Sequence, residues 1–462
     1  MSDYDGLIDT DFDAFQKALG TDPAASGLFI ADGPPLFAAR APGRLDVMGG
    51  IADYSGSLVA EMPVQQAAVI GAQRDDASGG AVTLVSANAV ESGLTPKVEL
   101  PAEVFTNPVS LLRWLREGPK ERHWAGYAAG ALSILRAEGL VPRGIGARLF
   151  VRSEVPLGAG VSSSAAIEVA SMRALCAAFG IPMTDGLMLA RLCQRVEHEV
   201  MDAPCGIMDQ VTSVLGEAGK LLLLLCQPYQ LQGTVALPKG YSVFGIDSGV
   251  KHSVAGNAYT KIRVAAFMGY KILADKAGNG FGGYLCNLTP DTYKALLPER
   301  LPETMNGAAF LGAHGGIFDT VTGVDPAETY PVRAAAEHAI NEMERVTRFV
   351  ECLKDGSDGA MQEAAIYMLG SHDSYSKCGL GSKETDFLVS DATAHEAVFG
   401  AKITGGGSGG TVCILCRADA EERISKSIAD EYQTRTGIEP RIIRGTSPGA
   451  LATDVRQVKV PA

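Results

Sequence analysis

The segment Pro156-Leu157-Gly158-Ala159-Gly160-Val161-Ser162-Ser163-Ser164-Ala165-Ala166-Ile167 constrains the chain more than any other. Gly158 and Gly160 permit a tight turn in which backbone can approach an anion. Three hydroxyls follow, and an apolar run at helical spacing continues to Phe179. This is a glycine-rich loop feeding a helix N-terminus, where free N–H groups and the positive end of the dipole favour phosphate. An ordinary serine-capped helix would read the same way from these residues alone.

Composition narrows what such a loop could serve. A chain of 462 residues with 46% hydrophobic and 20% charged residues is globular, long enough for two or three domains. A formal charge of −13 argues against nucleic-acid binding, which needs clustered Lys and Arg. A nucleotide bound by so acidic a chain would be held by local backbone donors and a metal. The acidic start lacks the regions of a signal peptide, and no apolar run approaches membrane-spanning length. A soluble, cytoplasmic protein is expected, a monomer or weak homo-oligomer. The nine cysteines form no disulfide-like framework, and Cys413 and Cys416 sit in an apolar run that reads as a buried strand.

Periodicity predicts strands at 37–40, 58–63, 67–74, 82–86, 220–225, 241–247, 402–404, 412–416 and 441–444. It predicts helices at 124–137, 165–179, 187–201, 332–353, 360–369 and 420–436. The first 35 residues read as an entry segment with little to bury, and 278–332 as a long Gly/Pro-rich, partly structured insertion. The simplest division is into two α+β domains, 1–240 and 241–462. Gly405, Gly407 and Gly410 have GxGxxG spacing, yet the next segment reads as strand, which rejects a dinucleotide fold. The companion motifs of a protein kinase are absent, as is a P-loop. A strand–turn–strand loop remains.

Three segments stand in order: Ala41 to Tyr54, with Arg44, Gly50, Ile51 and Asp53; the Ser-rich loop; and Lys402 to Gly410. Together they resemble the three signature motifs of the GHMP family of small-molecule kinases. Pro204-Cys205-Gly206-Ile207-Met208-Asp209-Gln210 brings the resemblance closer to the galactokinase branch. The resemblance implies a two-domain α+β fold with its active site in the cleft between the domains, and ATP and Mg2+ as cofactors. It makes Asp209 the base that takes the sugar hydroxyl's proton and Arg44 the guanidinium that steadies the transferred phosphoryl group. The ATP phosphates would be wrapped by Gly158, Gly160, Ser162, Ser163 and Ser164, with Gly406 and Gly407 nearby and Trp124 stacking near adenine. Ser164 and Glu197 would hold the metal, and Asp53, Tyr54, Gly206 and Tyr259 the sugar.

Where galactokinases carry Glu-His beside the sugar's C6 hydroxymethyl, this chain has Gly50 and Ile51. A pentopyranose without that group suits the change, because an unused buried carboxylate would be penalised. Restoring Glu and His is expected to move preference towards galactose. The stretch from Gly43 to Ser57, with Gly245 to Ser253, resembles the kinase domain of plant-type L-arabinokinases. The implied reaction is phosphorylation of L-arabinose at its anomeric hydroxyl. Galactose, galacturonate and a galactokinase-like sensor that binds without catalysis are the alternatives.

Overall fold

The computed structural model describes residues 4–251 and 255–461. His252 and Ser253 of the last-mentioned segment lie outside the described residues. Two antiparallel-rich sheets organise the chain. The larger has the order Arg456–Val458, Leu36–Met48, Leu58–Asp75, Gly146–Ser153, Val82–Ser86, Lys97–Leu100, with Lys220–Leu225 and Gln230–Ala236 branching from Leu58–Asp75. The smaller has the order Val398–Ile403, Gly409–Arg417, Tyr241–Lys251, Arg441–Ile443. We propose the domain division near residue 240, between Gln230–Ala236 in the first sheet and Tyr241–Lys251 in the second.

The strand Leu36–Met48 sets the active-site geometry. Its pairing with Leu58–Asp75 breaks register between Pro42 and Arg44 and again between Asp46 and Met48. Pro42 has no N–H for the ladder, and such irregularities re-aim side chains. At Gly43 a Cβ would lie 2.6 Å from the Val161 carbonyl, so only glycine lets this strand close on the Ser-rich loop. The Arg44 N–H then donates to the Val161 carbonyl at 3.1 Å.

The two strands expected at 58–63 and 67–74 are one strand, Leu58–Asp75, whose partner changes along its length. Leu58 to Glu61 pair with Lys220–Leu225, and Ala68 to Asp75 with Gly146–Ser153. Pro63 and the Gln65 N–H, which donates to Gly445, occupy the changeover.

The first 35 residues are not an idle entry segment. They contain the helix Asp5–Thr21, which buries Ile8, Phe12, Phe15 and Leu19 against Leu36, Ala38, Val69 and Phe150. Phe15 meets Phe150 edge-on at 5.5 Å, and Asp11 pairs with buried Arg40 at 2.6 Å. Helices Ala125–Ala137 and Ser163–Ala178 are buried on nearly every side, which is why their sequences are apolar almost all round. Cys413 and Cys416 lie buried in the strand Gly409–Arg417, as their surroundings predicted. The expected helices at 332–353 and 360–369 extend to Val332–Asp355 and Asp358–Lys377. Residues 278–332 hold short helices and the two-stranded pairing of Met305–Asn306 with Thr329–Tyr330. Among the described residues no helix is long and apolar enough to cross a membrane.

Candidate active site

Two adjoining cavities, about 700 and about 540 Å³, share Arg44, Met201, Asp209 and Gly406 as common lining. Asp209 comes from the first turn of the helix Met208–Leu215, and Arg44 from the bulged strand. Arg44 Nε and Nη2 both donate to Asp209 Oδ1, at 3.0 and 2.7 Å, and Nη1 donates to the Gly160 carbonyl at 2.7 Å. Burial alone would make this guanidinium easier to deprotonate, but Asp209 and Glu61 outweigh it and hold the charge firmly. One arginine thus ties the strand, the carboxylate and the glycine loop together. Glu61 Oε2 lies 3.0 Å from Arg44 Nε, yet neither Glu61 oxygen makes a hydrogen bond. Burial, then the charge of Asp46, pushes Glu61 well above the usual carboxylate range.

The larger cavity is lined by Ile51, Asp53, Gly206 and Tyr259. Asp53 is buried, and its Oδ1 has no hydrogen-bond partner. A Cβ at Gly206 would sit 1.6 Å from Asp53 Oδ2, so the glycine makes room for the carboxylate. Burial, reinforced by the nearby charge of Asp209, pushes the Asp53 pKa up to about 6. An unsatisfied buried acceptor is costly by itself, and a ligand hydroxyl would satisfy it. Tyr54 does not line the cavity. It packs edge-on against Tyr259 at 5.8 Å, with the Arg263 guanidinium 5.3 Å from its ring centre.

The smaller cavity is lined by Gly158, Gly160, Ser162, Ser163 and Ser164 at its polar end and by Leu94, Trp124, Tyr127, Leu157 and Ile167 at its apolar end. Gly158 and Gly160 both have positive φ, and so does Ser162, at 58°. The helix begins at Ser163, two residues before the expected start. Ser162 Oγ is buried without a partner. Trp124 is held by its indole N–H donating to the Thr95 carbonyl at 2.9 Å. Ser164 is hydrogen-bonded to Glu197, whose pKa burial raises to about 7. Glu197 stands where the helix Gly186–Val196 passes into a π turn, Glu197–Met201, in place of the α-helix expected to 201. Behind it Glu168, wholly buried and pushed up by burial and by Glu197, shares a hydrogen bond with Glu197 and accepts one from Gln210 Nε2 at 3.2 Å.

Besides Tyr54, two expected residues stand elsewhere. Gly407 turns away from both cavities with φ 78°, and a Cβ there would lie 2.7 Å from the Leu380 carbonyl. Gly50 is also outside the lining. A Cβ at Gly50 would lie 2.1 Å from both Asp46 Oδ2 and the Tyr375 hydroxyl. Asp46 cannot swing aside, because Lys402 Nζ donates to Oδ2 at 3.0 Å in a pair with no solvent exposure. Ile51 has φ 50°, an unusual conformation for a β-branched residue. Restoring Glu and His at 50 and 51 therefore does not probe the sugar: the space is occupied by the chain's own carboxylate and phenol. Gly50→Ala should cost about 1–3 kcal/mol in urea unfolding, the usual range for overpacking. A wild-type midpoint would show that this space is open.

The sequence left Leu94, Lys120, His123 and Tyr127 unassigned at one end of the cleft, and Val321, Thr322 and Gly323 at the other. None belongs to a recognisable motif. Only the apolar character of Leu94 and Tyr127 was visible in advance.

Comparison with known proteins places the chain in a family and a fold. Residues 126–217 match the model for the GHMP kinases N terminal domain, and 349–434 that for GHMP kinases C terminal. The chain is 38% identical to an L-arabinokinase of Arabidopsis thaliana, over 96% of this chain but 49% of that protein, so it spans about half of the plant relative. It is 30% identical to a galactokinase of Chloroflexus aurantiacus, covering 87% of this chain and 90% of the relative. Lactococcus lactis galactokinase, solved with galactose, superposes with a TM-score of 0.74 at 19% identity, covering 97% and 100% of the two chains. Methanococcus jannaschii mevalonate kinase does so at 0.55 and 14%, over 90% and 100%. These two structures speak for the fold.

Proposed function

The chain belongs to the GHMP kinases, as a sugar kinase of the galactokinase and arabinokinase type, and from that premise we propose that it transfers the γ-phosphoryl group of ATP to the anomeric hydroxyl of L-arabinose. The observation that carries this reading is the placement of Arg44 and Asp209 at the junction of the two cavities. Adenine would lie against Trp124, and the phosphates against Gly158 to Ser164 and Gly406, whose backbone and hydroxyl donors suit anions. The sugar would lie against Asp53, Gly206 and Tyr259.

Both Arg44 bonds fall on Asp209 Oδ1, which leaves Oδ2 to accept the proton of the anomeric hydroxyl as its oxygen attacks phosphorus. The bond from phosphorus to the β,γ-bridging oxygen breaks and ADP leaves. Arg44, fixed and charged, steadies the negative charge of the transferred group. Mg2+, when bound, would neutralise the phosphate oxygens, and Ser164 and Glu197 are the hard oxygen donors that would hold it. Glu168 fits such a site: its Oε1 is buried without a partner beside a second carboxyl group, an arrangement that a cation would relieve.

The ring of charge favours a neutral sugar over a uronate. The larger cavity is lined by Asp53, Glu197, Asp202 and Asp209, against Arg44, which is already committed to Asp209. L-Arabinose is preferred to galactose because the apolar Ile51 lines the acceptor cavity where galactokinases carry His, and because of the similarity to the plant enzyme.

An ADP-release assay with L-arabinose, D-galactose and D-galacturonate tests the proposal. The expected kcat/KM is highest for L-arabinose, by about ten-fold or more. Equal or better use of galactose would transfer the assignment to a galactokinase. Binding of sugar and ATP without turnover would make the chain a sensor.

A pH profile tests Asp53. Below about pH 6 its carboxylate takes a proton and stops accepting the sugar's hydroxyl, so sugar kcat/KM should fall as pH drops through that value. Asp53→Asn should flatten the profile there. An acid limb that persists in Asp53→Asn would assign it to another group.

A further inference from the structure

The sugar end of the cleft is closed by a piece of the insertion. Val321, Thr322 and Gly323 line the same cavity as Asp53, Gly206 and Asp209. They are held by one ion pair: Arg263 Nε and Nη2 donate to Asp319 Oδ2 and Oδ1 at 2.7 and 2.8 Å, with both side chains almost fully buried. The Val321 N–H and the Thr322 hydroxyl donate to the same carboxylate, at 3.1 and 2.6 Å. Arg263 Nη1 donates to the Pro204 carbonyl at 3.0 Å, two residues before Gly206. The insertion is therefore locked to the wall that positions Asp53. Its stem is fixed as well, by pairing of Met305–Asn306 with Thr329–Tyr330 and by the Gly307 N–H donating to Glu328 at 2.8 Å.

We propose that residues 319–323 are a specificity-determining strap, latched by the Arg263–Asp319 pair, that bounds the acceptor pocket and sets how large a sugar it admits. This deepens the sugar-kinase reading and rests on it. Buried bidentate pairs of this kind fix geometry, and removing one partner leaves the other charge buried and unpaired. The strap presents only small uncharged groups to the acceptor. At Gly323 a Cβ would have nothing within 4 Å, so a side chain there can extend into open space without disturbing the fold.

The test is steady-state kinetics of Gly323→Leu and Val321→Ala, with thermal melting as a control. Gly323→Leu should melt like wild type and raise the KM for L-arabinose about ten-fold, with the KM for ATP and kcat within about three-fold of wild type. Val321→Ala, which widens the pocket, should move the galactose to L-arabinose efficiency ratio towards galactose. An unchanged sugar KM in Gly323→Leu overturns the strap, and so does a parallel change in the ATP KM. Wild-type protein that phosphorylates no aldose overturns the sugar-kinase reading and the strap with it. Active wild-type protein with indifferent variants overturns the strap alone.

Discussion

Asp209→Asn is expected to lower kcat by about two to four orders of magnitude, the contribution typical of a positioned base, while the KM for sugar changes only a few-fold. The amide keeps the shape of the carboxylate, and its oxygen can still accept from Arg44 Nε and Nη2 as Asp209 Oδ1 does. What it cannot do is take a proton. The loss should therefore fall on the chemical step, seen in single-turnover kinetics with saturating ATP and sugar. Turnover within a few-fold of wild type would remove Asp209 from the proton transfer and leave it as a partner that orients Arg44.

Arg44→Met should cost about a hundred- to a thousand-fold in kcat, the scale of losing one fixed transition-state donor. The change removes three hydrogen bonds together, two to Asp209 and one to the Gly160 carbonyl, and it takes from buried Glu61 the guanidinium that lies 3.0 Å away. Arg44→Lys should recover only part of the activity. A single ammonium cannot span the carboxylate and the glycine loop as the planar guanidinium does. Melting temperature and ATP affinity measured alongside separate the chemistry from the packing. An Arg44→Met protein that folds and turns over near the wild-type rate would contradict the role given to the guanidinium.

Arg44, Asp209 and the Ser-rich loop were legible because each lies in a short segment whose residue types state a chemistry. The structure brings these distant segments to one junction. Gly50 was misread for a reason of distance. Its missing Cβ makes room for Asp46, four residues away, and for Tyr375, which lies in the distant helix Asp358–Lys377 and appears in no motif. The N-terminal helix was hidden by its acidic residues, although Ile8, Phe12, Phe15 and Leu19 recur at helical spacing on its buried face. Asp319 gave no signal at all. Its meaning comes from Arg263, a pairing across 56 residues that no local pattern encodes. The junction between strands that the sequence split near Pro63 was also invisible, because one long strand changing partners looks the same as two short ones.

The reaction proposed for this cleft is phosphorylation of the anomeric oxygen of L-arabinose. The most direct measurement is phosphorus and proton NMR of the products formed from ATP and an equimolar mixture of L-arabinose and D-galactose. One dominant new phosphate ester, coupled to the anomeric proton of L-arabinose, is expected. A dominant galactose phosphate, or a phosphoryl group on any other hydroxyl, would contradict it.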